Sequence, residues 1–351
     1  YTSPVYRAFV TRMNTRLAGE FGAHPAVVGW HISNEYCGEC HCELCQSAFR
    51  AWLKRKYQTL DNLNHAWWTA FWSKTFTDWE EIHSPEPNGE TQLCGLTLDW
   101  RRFVSDQTVD FVKCETAPIR RIAPSLPVTI NTMGFFYGLD YPSFADVVDF
   151  VGYDSYPMWG SKSDYDVARE ASFTFDLVRG FLNKPWSLME CTPSQVNWHE
   201  ICQLKRPGMH MLSCVQALAH GSDTAMMFQW RKSRGGPEKF HGAVVGHDMT
   251  NRTRTFKEVK ATGELLETLS EIVHSETKSD VALIFDQANR WALDGAQGPR
   301  KDKDYFGVTF DHYRALSRAG VNVDVIDMEK PFDSYKLLVA PYLYMLKPGA
   351  A

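Results

Sequence analysis

Short apolar runs that read as buried strands alternate with longer stretches of helical periodicity, and this alternation restricts the fold more than any other feature. Strands are expected in the segments ending near Glu35, Asn131, Tyr156, Glu190 and Trp230. Between the first two, Phe49, Trp52, Leu53 and Tyr57 mark one helix, residues 60–72 an aromatic-rich second, and residues 97–118 a long third. Residues 144–148 read as a helical turn, and further helices fall at 164–180 and 208–219. Ser3-Pro4 opens another as an N-cap followed by a first-turn proline, with Val5, Phe9, Met13 and Leu17 repeating until Gly22 stops the run. Strands separated by helices in this way argue for a parallel sheet with helical crossovers.

A closed barrel of this kind takes eight strands. The expected fold is therefore a partial TIM (β/α)8 barrel of about five βα units, the absent units belonging before Tyr1. A helix over 256–274 closes that portion, after which the pattern restarts with strands at 281–285, 321–326 and 336–341 and a helix over 306–319. The expected division is a barrel domain over 1–275 and the start of a second α/β domain with a parallel sheet over 279–351.

Composition removes several alternatives. A net charge of −5 with scattered lysines and arginines gives no nucleic-acid surface. No run approaches the roughly 18 apolar residues of a membrane helix, so no membrane partner is expected. Nine cysteines include the tight group Cys40, Cys42 and Cys45, whose spacing suits a metal better than disulfides and points to a reducing, cytoplasmic setting. Three thiolates so placed suit a tetrahedral zinc, structural if a fourth protein ligand closes the site. Cys37, His41, Cys94 or a residue upstream of Tyr1 are the candidates for that ligand; free thiols are the plainer alternative.

Glu35 and Glu190 each end a short strand, and in a β/α barrel such ends converge on the face where active sites are built. Two carboxyls facing one sugar ring are the apparatus of a glycosidase: about 5–5.5 Å apart for a retaining enzyme, roughly 6.5–9.5 Å for an inverting one. Asn34 before Glu35 suits the acid/base, because its amide can hold a sugar 2-hydroxyl; Glu190 is then the nucleophile. Either glutamate alone more often has a plain structural role, such as capping the next helix; it is the pair on correctly ordered strands that points to function. Tyr156, at another strand end, can donate to the nucleophilic carboxylate or simply pack before Pro157. Trp198 can stack on sugar or cover the barrel mouth. Glu238 and His241 can bind hydroxyls, although loop charges are more often only solvated.

Several longer motifs resemble glycoside hydrolase family 42 β-galactosidases. They are Trp30-His31-Ile32-Ser33-Asn34-Glu35-Tyr36, the cysteine triplet continuing to Arg50, and Ala66-Trp67-Trp68-Thr69-Ala70-Phe71-Trp72-Ser73. Met189-Glu190-Cys191-Thr192-Pro193-Ser194-Gln195-Val196-Asn197-Trp198 and Phe228-Gln229-Trp230-Arg231-Lys232 extend the match along nearly the whole chain. The resemblance implies a TIM barrel, a Rossmann-like domain that builds a homotrimer, and a small β domain. It also implies hydrolysis of terminal β-galactosides, with Glu35 as acid/base and Glu190 as nucleophile. Asn34, Tyr156, Trp198, Glu238 and His241 would line the galactose subsite, and Cys40, Cys42 and Cys45 would match three of four zinc ligands. The first barrel strands, a sugar-binding arginine, the fourth zinc cysteine and the small β domain have no counterpart, and Cys37 stands where glycine is usual. The alternatives are a β-glucoside or α-L-arabinopyranoside substrate, or an inactive sugar-binding fragment.

Overall fold

The computed structural model describes residues 1–85, 93–160 and 162–350. Helix α1 (Pro4–Phe21) starts where Ser3 Oγ accepts the Tyr6 N–H, satisfying one of the free donors of the first turn. Its C-cap is Gly22, where only glycine fits, since a Cβ there would stand 2.5 Å from the Ala18 carbonyl oxygen. Strand β1 (Trp30–His31) follows, then α2 (Glu43–Tyr57), α3 (Leu60–Trp67) and the long α4 (Cys94–Ile122). Next come β2 (Val128–Thr132), β3 (Phe150–Ser155), α5 (Asp164–Leu182), β4 (Trp186–Cys191), α6 (Met209–Ala219), β5 (Ser222–Ala225) and α7 (Arg254–Thr268).

These five strands form one parallel sheet in sequential order, β1-β2-β3-β4-β5. Sequential parallel order with helical crossovers is the arrangement of successive units of a β/α barrel. β2 is buried along its whole length, as a strand covered on both faces must be. Around it Val112, Ile119, Ile130, Phe173, Trp186 and Leu188 build the main core, each large side chain contributing roughly 1.5–3 kcal/mol by leaving water. A separate cluster of Phe49, Leu53, Leu63, Trp67, Trp100 and Phe103 joins α2 and α3 to the first half of α4.

A second parallel sheet contains β6 (Val281–Ile284), β7 (Val323–Ile326) and β8 (Leu337–Val339) in the order β7-β6-β8. Its helices are α8 (Gln287–Gly295), which Asp286 caps and which adds to the helix expected over 306–319, and α9 (Tyr305–Arg318). α5 lies directly against β7: a Cβ at Gly180 would fall 2.0 Å from the Val325 carbonyl oxygen, so only glycine permits this approach. Beside it the buried Arg179 donates to Asp176 (2.6 Å) and Asp324 (2.8 Å), and to the Val323 carbonyl at 3.0 Å.

Several expectations change in detail. The apolar row of α1 faces outward, with Val5, Phe9 and Met13 all more than half exposed, while Val10 and Ala18 are buried. Asn14 also turns toward α4, donating to the Glu115 carbonyl. The helix expected over 60–72 stops at Trp67, because Trp68 turns left-handed and Asn64 Oδ1 takes the Thr69 hydroxyl and the Phe76 N–H. The strand expected to reach Trp230 stops at Ala225; beyond it Gln229 and Val244 pair in a separate loop and Trp230 is exposed. The turn expected over 144–148 is a 3-10 turn at Tyr141–Phe144, and the helix expected over 256–274 ends at Thr268 before a separate turn.

Candidate active site

β1 is short because the chain leaves extended geometry at once: Ser33 and Glu35 both have positive φ, 52° and 44°. A non-glycine residue in that region is strained and persists only where its surroundings hold it. Here Asn131, at the C-terminal end of β2, supplies the hold. Its Oδ1 accepts the Glu35 N–H at 2.9 Å and a His31 ring N–H at 3.0 Å. Its Nδ2 donates to Asn34 Oδ1 (3.0 Å) and to Asp154 Oδ2 (2.5 Å).

Asp154 reaches this point through an irregularity. Along β3 and β4, Tyr153 pairs with Leu188 but Asp154 pairs with Glu190, so the register slips by one residue. Such bulges re-aim side chains beside active sites. One carboxyl oxygen each of Glu35, Asp154 and Glu190 consequently lies within 4.8 Å of the others. Tyr156, just past the end of β3, donates its phenol hydrogen to Glu190 Oε2 at 2.6 Å.

The three carboxyls open into a cleft of about 600 Å³, also lined by Asn34, Tyr156, Trp198, Phe228 and Glu238. Trp198 stands at the rim, 57% exposed, its ring 5.4 Å from that of Tyr156. His241 lies behind the wall at 1% exposure, edge-on to Tyr156 and Phe228. Its ring nitrogens are engaged by Asn197 Oδ1 (2.8 Å) and the Phe228 carbonyl (3.1 Å), so it buttresses the cleft from outside. Of the residues anticipated for a subsite, Asn34, Tyr156, Trp198 and Glu238 share the cleft with the two glutamates. Asn131 and Asp154 were not anticipated. Both end strands in the same way as Glu190, and that position was the available signal.

Charge in the cleft is lopsided. Two unit charges 4.8 Å apart repel by roughly 3.5 kcal/mol at an effective dielectric of about 20. Burial first, and the Glu190 charge second, push the Glu35 carboxyl above the usual carboxylate range. The same two causes raise Asp154 further, to about 8. Burial and the hydrogen bond to Glu190 push the Tyr156 phenol up strongly, keeping it a donor. The arrangement therefore sets two carboxyls in which the protonated form is favoured, Glu35 and Asp154, beside the phenol-supported Glu190.

The cysteine triplet lies at the start of α2. The sulfurs of Cys40, Cys42 and Cys45 all fall within 4.8 Å of one another, those of Cys42 and Cys45 being 3.8 Å apart. A tetrahedral zinc with bonds of about 2.3 Å spaces its sulfurs about 3.8 Å apart, so the set fits that ion. The Cys45 backbone N–H and the Cys40 thiol pull the Cys42 thiol down to about 7, whereas burial pushes Cys45 up to about 11. Thr2 Oγ1 sits 3.2 Å from Cys45 Sγ. Two of the fourth-ligand candidates are engaged elsewhere: His41 stacks on Trp100 and bonds Ser84, and Cys94 donates to the Gly295 carbonyl. Cys37 lines a different pocket.

A parallel β/α sheet whose C-terminal strand ends hold paired carboxyls in a cleft is the design of the barrel glycosidases. The family model described as beta-galactosidase, glycoside hydrolase family 42, matches residues 1–269, and that described as beta-galactosidase trimerisation domain matches 279–351. The chain belongs to glycoside hydrolase family 42. It is 55% identical to beta-galactosidase BglY of Alicyclobacillus acidocaldarius, over 100% of this chain and 51% of that protein. It is 50% identical to beta-galactosidase GanA of Bacillus subtilis, over 98% of this chain and 53% of that protein. The crystal structure of a beta-galactosidase from Rahnella sp. R3 superposes with a TM-score of 0.98 at 49% identity, over 99% of this chain and 52% of that one. The chain thus spans about half the length of these relatives. Among the described residues no helix is long and apolar enough to cross a membrane.

Proposed function

We propose that the protein hydrolyses terminal, non-reducing β-D-galactosyl residues by a retaining double displacement. The observation that carries this reading is the approach of Glu35 and Glu190 to within 4.8 Å over one cleft. That separation suits direct attack by a carboxylate and leaves little room for a water between the two.

In the first step Glu190 attacks the anomeric carbon as the bond to the leaving oxygen breaks. Glu35 gives its proton to that oxygen, and a galactosyl ester forms on Glu190. Burial and the Glu190 charge shift Glu35 toward the protonated form beforehand. Ester formation removes that charge, so Glu35 becomes a better base and takes a proton from the water that releases galactose. Tyr156 stabilises Glu190 as a carboxylate before attack and after release. Asn34, Glu238 and Trp198 are placed to take sugar hydroxyls and one apolar ring face, and His241 to brace Tyr156.

Residues 1–275 would form the catalytic domain and 279–351 part of a unit through which three copies assemble, a reading supported by the trimerisation-domain match. Cys40, Cys42 and Cys45 would hold a zinc ion that ties the loop after β1 to α2, a structural role outside the reaction. The nine free thiols support a reducing, cytoplasmic location.

The test is proton NMR of the first-formed sugar with aryl β-galactoside, β-glucoside and α-L-arabinopyranoside. The expected result is β-galactose released first, with the galactoside preferred. First appearance of α-galactose would exclude the double displacement, and preference for another sugar would reassign the substrate.

A further inference from the structure

The third carboxyl of the cleft has no part in the double displacement as written, yet it is the most deeply buried of the three. Asp154 is 6% exposed. Its Oδ2 accepts from Asn131, while its Oδ1 is buried and receives no hydrogen bond. A carboxyl oxygen of Glu35 lies within 4.8 Å of one of those of Asp154. Two ionised carboxylates offer only acceptors to each other, so a proton on one of them allows this approach to become a hydrogen bond rather than a repulsion.

The surroundings give that proton no competitor. Glu35 and, through Asn131, His31 face Asp154 from the β1 side, and Glu190 faces it from β4. The phenols of Tyr141, Tyr153 and Tyr156 also act on it or feel its charge, Glu238 lines the same cleft, and no cation is among the groups acting most strongly on it.

We propose that Asp154 is a positioning residue for the acid/base: it carries a proton in the resting site and donates it as a hydrogen bond to Glu35, aiming that carboxyl at the leaving oxygen. The inference rests on the retaining-glycosidase reading of Glu35 and Glu190. The Asp154 proton is not consumed. Glu35 gives its own proton as the bond to the leaving group breaks, and the Asp154 O–H then donates to the carboxylate so created. In the second half-reaction water returns a proton to Glu35, while Asp154 keeps its own throughout. Of the three clustered carboxyls, Glu190, the group that must attack, is then the one left to carry negative charge.

Two measurements on the intact protein test this. Infrared spectra of wild type minus Asp154→Asn should show the C=O band of an un-ionised carboxyl at pH 6.5, lost on titration to alkaline pH and retained in Glu35→Gln. Carboxylate bands alone at pH 6.5 would overturn the proposal whatever the catalytic activity. Kinetically, Asp154→Ala should lower kcat/KM by on the order of 100-fold for an alkyl galactoside, which needs a general acid. For a dinitrophenyl galactoside, whose leaving group needs no proton, the loss should be only severalfold. Asp154→Asn keeps a neutral donor and should recover most of the alkyl rate. Equal losses on both substrates in both variants would reduce Asp154 to a structural residue. Failure of the parent reading is separable, since wild type would then hydrolyse neither galactoside or would release α-galactose first.

Discussion

Replacing Asp154 by Asn should make the protein more stable, by an amount that grows with pH. The carboxyl is raised from 3.8 in the unfolded chain to about 8 in the fold, by burial and then by the Glu190 charge. Between those values the native state holds a proton that the unfolded state has released. Stability therefore falls as pH rises across that window, by about 1.4 kcal/mol per pH unit from this group. At pH 7 the cost of keeping Asp154 is roughly 4 kcal/mol, a large share of the 5–15 kcal/mol that separates a typical domain from its unfolded state. Asn occupies nearly the same volume, can still bond Asn131 and does not titrate. Urea denaturation followed by tryptophan fluorescence at pH 4, 5, 6, 7 and 8 would give the difference between the two proteins. It should be small at pH 4 and rise steadily toward pH 8. Glu35 is raised in the same direction but contributes to both proteins alike. A difference independent of pH would refute the reasoning, and a variant that becomes relatively weaker with rising pH would mean that Asp154 is ionised in the fold.

Arg179→Ala leaves Asp176 and Asp324 buried without their cation, and should destabilise the protein by about 3–5 kcal/mol in thermal or urea denaturation; a change under about 1 kcal/mol would contradict the ion-pair account of the α5–β7 contact. Tyr156→Phe removes a 2.6 Å bond to the Glu190 carboxylate, which at about 1.5–3 kcal/mol corresponds to a roughly 10- to 100-fold lower kcat; an unchanged kcat would remove Tyr156 from the mechanism. Cys42→Ser should abolish stoichiometric zinc in elemental analysis and lower the unfolding midpoint, with kcat of the remaining folded enzyme little changed. A kcat that collapses while the fold persists would contradict a purely structural ion.

Much of this was visible in the residues, because strand ends in a β/α barrel are both easy to locate and chemically decisive. Tyr156 and Glu190 each fall at the end of a largely buried strand, whereas Glu35 follows the two-residue β1, which is part-exposed and not the buried strand expected; the five parallel strands occur in the expected order. What stayed hidden depends on register and side-chain direction. Asp154 lies next to Tyr153 in a strand whose alternation breaks at a bulge, so counting by twos does not bring it to Glu190. The apolar row of α1 marked a helix but not the side that packs, which is set by Asn14 and the small Ala18 against α4. Trp68 ended α3 through the Asn64 side chain, a local polar bond that periodicity cannot register. His241 was legible as a functional type of residue, yet its place behind Phe228 depends on a loop with no sequence period of its own.

The most direct measurement is mass spectrometry of the intact protein after incubation with an activated 2-deoxy-2-fluoro-β-galactoside, which forms the first covalent intermediate quickly and releases it slowly. One sugar per chain should be found, and peptide sequencing should place it on Glu190, with no adduct in Glu190→Gln. A label on any other carboxyl, or none in a protein that still turns over galactosides, would contradict the assignment of the two glutamates.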